Sequence, residues 1–409
     1  MYNFPSDITP LHSYLRIMIN SKLSVDLLVT RVSQWQITLL LFLFVLLFTF
    51  PKYLEIANDP FPIKTYAYFF DKINHPLTSC DKISHETHGA KITFRLTIPL
   101  LSKLLGIDSH HSGKNVLWIY ILQSSLLLPF LYFLQSIVKR YTTKLNAVLF
   151  AAACSGTYLA KSFFWDYDFW FDGFAYFFML SALFFKNRVL IFLSLQLACW
   201  TDERALIALP GIYLFLLLAE NNFDISLKIS ESLSLSKVRP SLVVIFSGLA
   251  YLFIRHFLGY IFKLATPLGE ASGVSLSLIP FQLKHRLIGI FLTFEGLWLI
   301  FAIMMYYIYK SKKGLLLFWL ITLALTIQLL VAYSVFDITR SVTYAFPLII
   351  TAFILYTKLE LKDSQRMVLT ATLLCVLVPT QFFIFYPRQI PWTILSLHEL
   401  KPIIKNLLL

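Results

Sequence analysis

The run QITLLLFLFVLLFTF at residues 36–50 decides the fold class of this chain. It carries no charged residue and is bounded by Trp35 and Pro51. Because a transmembrane helix needs about 20 mostly apolar residues, the run predicts a first membrane helix. The mixed sequence before it does not fit a cleavable signal peptide. We therefore expect residues 1–35 to form a cytoplasmic tail.

The composition also indicates a protein surrounded by lipid. Apolar and aromatic residues make up 58% of the 409 residues and charged residues only 14%, whereas soluble chains average about 25% charged residues. Too few polar side chains are present to cover a soluble protein. This excludes soluble multidomain, disordered, coiled-coil and disulfide-scaffold classes. The four cysteines form no CxxC pair and predict no metal site.

Later apolar runs extend the pattern to an all-α polytopic membrane protein with about eleven transmembrane helices. We expect one integral-membrane domain over 1–409. The region 189–219 is ambiguous, because the polar sequence TDER at 201–204 interrupts two short apolar stretches. The predicted spans after the first are 115–137, 145–163, 171–185, 189–201, 204–219, 241–262, 287–309, 314–335, 341–357 and 367–386.

Lys and Arg in the short connections predict the orientation, because cytoplasmic loops carry an excess of these residues. One alternating set of connections carries fourteen basic residues and the other set six. The richer set is therefore predicted to be cytoplasmic, and the net charge of +13 indicates topology rather than nucleic-acid binding. The richer set consists of 138–144, 186–188, 220–239, 310–313 and 358–366.

Two segments are then predicted to lie outside. The first is the long loop 52–114, whose partly apolar stretches favour short helices in the membrane interface. The second is the C-terminal tail, 387–409. Since ionisable groups inside a membrane are costly, their concentration near this outer face indicates an active site there. The cytoplasmic halves of the spans are nearly pure hydrocarbon, which disfavours a channel or a proton-coupled carrier.

Asp59 is the candidate catalytic residue. It follows the first span and precedes Pro60, so its carboxylate is suited to act as general base towards an acceptor hydroxyl. The alternative is that Asp59 only solvates the loop.

The sequence FFWDYDFWFD at 163–172 alternates aromatic rings with carboxylates. Sugar binding uses this combination, and the alternative is an aromatic belt at the interface. The DYD triplet also matches a pattern that binds metal–nucleotide sugars, which leaves a divalent metal as a minor alternative. We predict no cofactor and no metal ligand. The candidate sugar and acceptor ligands are Trp165, Asp166, Asp168, Asp172, Glu203 and Glu295.

Basic residues at the same predicted face are candidates for binding a phosphate, because the planar guanidinium group pairs with phosphate oxygens and stays charged when buried. For Arg204 and Arg340 the alternative is an ion pair with a nearby carboxylate. For Arg255 the alternative is neutralisation by Glu295. The candidate phosphate ligands are Arg340, Arg255, His256 and Arg204.

Several stretches together match a known layout. They are Asp59 in the first loop, KITFRLTIPLLSK at 91–103, FDGFAYFF at 171–178, CWTDERALIALP at 199–210, and DITR at 337–340 before Pro347. This arrangement resembles the GT-C superfamily of integral-membrane glycosyltransferases over most of the chain.

The resemblance implies a sugar donor carried on a polyprenyl or dolichyl phosphate, a cavity that opens outward, and inversion at the sugar carbon. It also implies that Asp59 activates the acceptor and that Arg340, with Arg255, neutralises the lipid-phosphate leaving group. The chain departs from the common pattern by having Asn-Asp-Pro where a paired acidic motif is usual. Glu55 and Asp71 are the reserve candidates for the base.

The expected partners are the lipid-linked sugar, a glycan, lipid or protein acceptor, and membrane lipids, with no nucleic acid. A polysaccharide polymerase or ligase, a lipid-linked-sugar transporter or flippase, and an acyl- or phosphotransferase remain alternatives. The small loops favour a bacterial inner membrane, where the product would be a cell-envelope polysaccharide or a glycolipid.

Overall fold

The computed structural model describes residues 31–50, 69, 71–78, 93–107, 113–165, 171–226, 239–264, 275–378, 380–383, 387–389 and 405. Regular structure in these ranges is helical except for β1 (Gln381–Phe383) and β2 (Pro387–Gln389), which pair antiparallel. Apart from this hairpin, the prediction of an all-α fold is confirmed. The helices are α1 (Gln34–Thr49), α2 (Thr97–Leu104), α3 (Gly113–Tyr141), α4 (Lys144–Gly156), α5 (Tyr158–Trp165), α6 (Asp172–Phe184), α7 (Arg188–Thr201), α8 (Arg204–Glu220), α9 (Pro240–Phe262), α10 (Leu278–Arg286), α11 (Ile288–Phe294), α12 (Leu297–Lys310), α13 (Leu315–Tyr333), α14 (Ile338–Thr343), α15 (Phe346–Lys358) and α16 (Ser364–Leu377).

Short polar residues start several of these helices. Ser33 and Gln36 form a capping box at α1, in which the Gln36 amide donates to Ser33 Oγ at 3.2 Å. The Thr143 hydroxyl accepts from the Asn146 amide at α4, and the Asn187 side chain caps α7. Each such cap stabilises its helix by about 1 kcal/mol. The helix starts are therefore encoded locally, in the polar turns between apolar runs.

Three helices are long and apolar enough to cross a membrane: the 117–141 part of α3, α9 and α13. Two bent pairs, α4–α5 at 50° and α11–α12 at 100°, raise the number to five if each pair counts as one span. The protein thus has the helices of a helical membrane protein. The prediction of about eleven spans is therefore wrong, because only three to five helical segments of the described residues are long and apolar enough to cross a membrane.

The difference lies in helix length rather than in helix position. A helix lies at every predicted span, and the ambiguous region 189–219 forms α7 and α8. However, α1, α6, α7, α15 and α16 contain only 13 to 16 residues. At 1.5 Å per residue they extend about 20–24 Å, which is less than the roughly 30 Å of a hydrocarbon core. Breaks at Thr157 and at Glu295 shorten two further runs.

Apolar side chains are buried at the centre of the protein and exposed at its periphery. Helix α15 is buried continuously from Phe346 to Tyr356. In contrast, α9 exposes Phe253 and Phe257, and α13 exposes Trp319. Contiguous exposed apolar surface of this extent is uncommon on soluble proteins. It is the surface expected of helices that face lipid.

Glycine allows two helices of the core to approach closely. A Cβ added at Gly156 of α4 would overlap the backbone carbonyl oxygen of Cys375 in α16. We expect Gly156→Ala to lower the free energy of unfolding by about 1–3 kcal/mol, the usual cost of overpacking. The matched control is Gly211→Ala, whose Cβ would meet only the flexible side chain of Leu348. Thermal unfolding of both variants in detergent tests this, and equal losses would contradict it.

The predicted loop 52–114 contains the short helix α2. This helix exposes Leu100 and Leu104, as a helix lying on a membrane surface would. Most of the predicted tails, 1–35 and 387–409, falls outside the described residues.

Candidate functional site: a buried carboxylate–guanidinium cluster

Arg340 is the centre of a buried ionic cluster. Its Nε donates to Asp172 Oδ2 and its Nη2 to Asp172 Oδ1 at 3.1 Å. Nη2 also reaches Asp202 Oδ2 at 3.3 Å, and Nη1 reaches Asp337 Oδ2 at the same distance. The Arg340 side chain is only 2% exposed, and those of Asp172 and Asp202 are 0% and 1% exposed. Such residues are almost never fully buried unless they are paired.

Asp172, Asp202 and Arg340 lie at or near the places where one helix ends and the next begins. Asp172 is the first residue of α6, after Phe171 in the left-handed region at φ 54°. A carboxylate there is stabilised by the positive end of the helix dipole. Asp202 lies between α7 and α8 and accepts the Arg204 backbone amide at 2.9 Å. Arg340 lies on the six-residue helix α14. The turns at this end of the helices therefore converge on one point.

Two further guanidinium groups surround Asp202. Arg95 Nη2 lies 3.0 Å from Asp202 Oδ2, and Arg204 Nε lies 3.0 Å from Oδ1. Burial alone would raise the pKa of the Asp202 carboxyl, but Arg204, Arg95 and Arg340 together hold that pKa well below its usual range. Asp202 is thus a stable anion that gathers three cations around it.

Tyrosine hydroxyls and a serine complete the cluster. Tyr344 donates its hydroxyl hydrogen to Asp172 Oδ1 at 2.6 Å, and Tyr176 donates to the Arg340 carbonyl at 3.2 Å. Arg204 Nη1 donates to Ser341 Oγ at 3.1 Å, and its guanidinium lies 5.6 Å from the Tyr344 ring centre. Asp172, Asp202 and Arg340 are therefore each held by more than one partner.

Arg255 forms a second ion pair that continues this surface. Its Nη1 lies 3.0 Å from Glu203 Oε1 and 2.7 Å from the Tyr251 hydroxyl, and its guanidinium lies 4.2 Å from the Phe94 ring centre. Phe94 precedes Arg95, and Glu203 follows Asp202, so the two pairs are neighbours. The carboxylate that pairs with Arg255 is therefore Glu203 and not Glu295. His256 is exposed.

Glu295 lies at the 100° bend between α11 and α12, with φ at 46°. Both of its carboxylate oxygens are buried and accept no hydrogen bond from the described residues. It interacts electrostatically with Lys161, whose Nζ donates to Thr380 Oγ1 at 2.6 Å. Lys161 and Glu295 thus influence each other electrostatically without forming a direct ion pair.

Among the predicted site residues, the structure brings Asp172, Arg204 and Arg340 together directly. It adds Glu203 and Arg255 at the edge of the same cluster. Trp165 ends α5 and is half-buried. The proposed base Asp59, the two carboxylates Asp166 and Asp168, and the reserve Glu55 lie outside the described residues, while the reserve Asp71 is exposed.

Arg95 is the main participant that sequence reasoning did not include among the site residues. It occurs in the apolar stretch FRLTIPL at 94–100, where a charged residue needs a partner or a purpose. The position of Arg95 among apolar residues was the sequence feature that could have identified it as a site residue. Tyr344 and Ser341 carry no comparable signal, since Tyr and Ser are common in such helices, whereas the isolated Lys161 carries the same signal as Arg95.

The described residues contain no group of three or more His, Cys, Asp or Glu side chains placed to hold a metal ion. No family model, curated protein or solved structure matches the chain. The GT-C resemblance therefore rests on the sequence features alone, and the residues of the cluster carry the functional argument.

Proposed function

We propose that this protein is a membrane glycosyltransferase. It transfers a sugar from a polyprenyl- or dolichyl-phosphate donor to an acceptor hydroxyl, with inversion at the sugar carbon. The observation that carries the proposal is the cluster of three arginines fixed by buried carboxylates inside an apolar helical protein. A lipid-phosphate leaving group needs positive charge at the point of departure and little other chemistry.

Arg95 and Arg204 are the arginines best placed to contact that phosphate. Their side chains are each 13% exposed, whereas Arg340 is 2% exposed and is engaged with carboxylates. Arg95 Nε is buried and has no hydrogen-bond partner among the described residues. A phosphate oxygen would satisfy this donor with a strong charge-assisted hydrogen bond. In the proposal, Arg95 and Arg204 bind the phosphate and Arg340 positions them through Asp202.

Preorganisation is the physical advantage of this arrangement. The guanidinium groups of Arg95 and Arg204 are oriented before the donor binds, because Asp202 already pairs with both. Oriented charges of this kind need no reorganisation as the leaving group develops its charge. The apolar helices around the site would accept the isoprenoid chain directly from the bilayer.

The remaining roles belong to the same proposal. Asp59 is the base that activates the acceptor, and Arg255 and His256 border the phosphate site. We propose a multi-pass protein with a cytoplasmic N-terminus and an external active site, in a bacterial inner membrane. The proposed ligands of the sugar and the acceptor are Trp165, Asp166, Asp168 and Glu203. Asp172 and Glu295 are fully buried, so they are not retained as ligands.

Arg95→Gln tests the proposal. We expect it to raise the KM for a polyprenyl-phosphate sugar about tenfold, because one charge-assisted hydrogen bond of roughly 1.4 kcal/mol or more is lost. We expect Arg95→Lys to recover part of the affinity, since it keeps the charge but loses the planar fork. The measurement is the initial rate of sugar transfer in membranes, over a panel of synthetic polyprenyl-phosphate hexoses.

The matched control is Arg366→Gln, which removes an exposed arginine paired with Asp363. Its KM should equal that of the wild type. An unchanged KM in Arg95→Gln would remove Arg95 from the phosphate site. Movement of the lipid-linked sugar across proteoliposomes without any transfer would instead favour the flippase.

A further inference from the structure

The turn between α12 and α13 carries three exposed lysines. Lys310 ends α12, and Lys312 and Lys313 follow before α13 begins. Within the part of the chain that the structure describes, none of the three ammonium groups makes a hydrogen bond or an ion pair. The stretch 296–336 contains these lysines and no Asp or Glu. The turn therefore carries charge of one sign, which attracts anions.

The three lysines differ in how available they are to an anion from outside the protein. Asp224, in the turn after α8, interacts electrostatically with Lys313, so this lysine is partly neutralised. Lys310 Nζ lies 5.8 Å from the centre of the Tyr306 ring, an arrangement that uses none of its N–H donors. Lys310 and Lys312 are therefore the cations best placed to bind an anion.

The backbone holds Lys312 in an uncommon conformation. Its φ is 55°, in the left-handed region, which at the end of a helix is usually occupied by glycine or asparagine. The turn is closed by Ser311, whose hydroxyl donates to the Ile308 carbonyl at 2.8 Å and accepts the Gly314 amide at 3.3 Å. Lys312 thus adds a charge at a position where glycine would favour the fold more.

Aromatic side chains form a layer next to the lysines. Tyr306 and Tyr309, near the end of α12, and Trp319, in the second turn of α13, are each more than half exposed. Tyr309 packs on Phe318 with ring centres 5.1 Å apart, which holds the two helices side by side. Exposed Tyr and Trp side chains at the end of a membrane helix mark the headgroup level of the bilayer.

An apolar stripe continues from the aromatic layer along α13. Leu323, Ile327 and Leu330 follow Trp319 at helical spacing, and all three are exposed. Helix α13 is also one of the helices long and apolar enough to cross a membrane. Lysines, aromatic rings and apolar side chains thus succeed one another in the same order as the phosphate, glycerol and acyl chains of a phospholipid.

The turn lies at the opposite end of α13 from the Arg340 cluster. Gln328, in the second half of α13, donates to the Ser341 carbonyl of α14 at 2.8 Å, whereas the lysines precede the first residue of α13. The 19 residues of this helix extend about 28 Å. Residues 310–313 are also among the connections that the sequence predicts to be cytoplasmic, and the cytoplasmic leaflet carries anionic lipids.

We propose that the α12–α13 turn binds the phosphate of an anionic phospholipid through Lys310 and Lys312. The rings of Tyr306, Tyr309 and Trp319 lie at the glycerol level, and the acyl chains follow the apolar stripe of α13. Lysines directly beyond a membrane helix attract anionic headgroups in this way. The site is separate from the Arg340 cluster and independent of the proposed transferase activity.

The test is native mass spectrometry of the full-length protein in detergent, titrated with lipid. The probes are dioleoyl phosphatidylglycerol and dioleoyl phosphatidylcholine, which share their acyl chains. We expect the anionic lipid to bind at least about fivefold more tightly, and Lys312→Gln to weaken its binding about fivefold, from about 1 kcal/mol per lysine. The double variant Lys310→Gln/Lys312→Gln should lose more. The matched control is Lys362→Gln, an exposed lysine beside Asp363, which should bind like the wild type.

Lys312→Gly separates lipid binding from a role in the fold. It removes the charge and relieves the left-handed backbone, so we expect weakened binding of the anionic lipid with a thermal unfolding midpoint at or above that of the wild type. Inorganic phosphate at millimolar concentration should not displace the lipid. Displacement by phosphate, equal losses in the Lys312 and Lys362 variants, or no loss in the double variant would overturn the proposal.

Discussion

Arg340→Met is expected to lower the free energy of unfolding by about 3–5 kcal/mol, the usual cost of removing one partner from a buried ion pair. The methionine would leave Asp172 and Asp202 buried beside fewer positive charges. Arg340 contacts Asp172 through both Nε and Nη2, so Arg340→Lys, which cannot bridge in this way, should recover only a small part of the loss. Denaturant or thermal unfolding in detergent measures both variants.

Arg366→Met is the matched control for this prediction. Arg366 also pairs with an aspartate, Asp363 at 3.0 Å, but both side chains are largely exposed. Exposed ion pairs contribute about 0–1 kcal/mol, so this variant should unfold nearly like the wild type. If Arg340→Met were as stable as Arg366→Met, the cluster would not be an organising element of the fold. A selective rise in KM without destabilisation would instead return Arg340 to the phosphate site.

Asp59→Asn is expected to reduce sugar transfer by about 10²–10⁴-fold, because the amide cannot accept the acceptor's proton. The variant should be present in membranes at the wild-type level, and the KM for the lipid donor should change little. The assay is the rate of transfer from a polyprenyl-phosphate sugar, normalised to the amount of protein.

Asp224→Asn serves as the control, since Asp224 is exposed in a turn after α8. It makes the same chemical change and should leave the rate unaltered. Near-normal transfer by Asp59→Asn would exclude Asp59 as the base. The variants Glu55→Gln and Asp71→Asn would then show which of the two reserve carboxylates acts as the base.

The sequence was sufficient to predict where the helices lie, because apolar runs and polar turns are local features. It was not sufficient to count the spans. The breaks at Thr157 and Glu295 fall inside apolar runs that hydropathy predicts as single continuous helices. The positive φ of Glu295 is not predicted by any local sequence motif. Asp172 and Arg340, predicted from the sequence as a sugar ligand and a phosphate ligand, pair with each other in the structure.

The pairing inside that cluster was beyond sequence reasoning. From the sequence, Glu295 was the carboxylate considered as the partner of Arg255, but the structure pairs Arg255 with Glu203. That pairing depends on how α9 packs against α8. Arg95 joins Asp202 across more than a hundred residues, which no spacing rule predicts. Ion pairs between distant segments depend on how the helices pack against one another, so they can be read from the structure but not from the sequence.

The bend between α11 and α12 has a consequence for the biogenesis of the protein. Helix α11 has only seven residues, too few to be inserted into a bilayer as a separate segment. We therefore expect residues 288–310 to enter the membrane as one continuous segment. The 100° bend would then form later, when Gly296 meets the backbone of α16 at Ala371. The shape of this segment would be acquired during assembly of the helices and not during insertion.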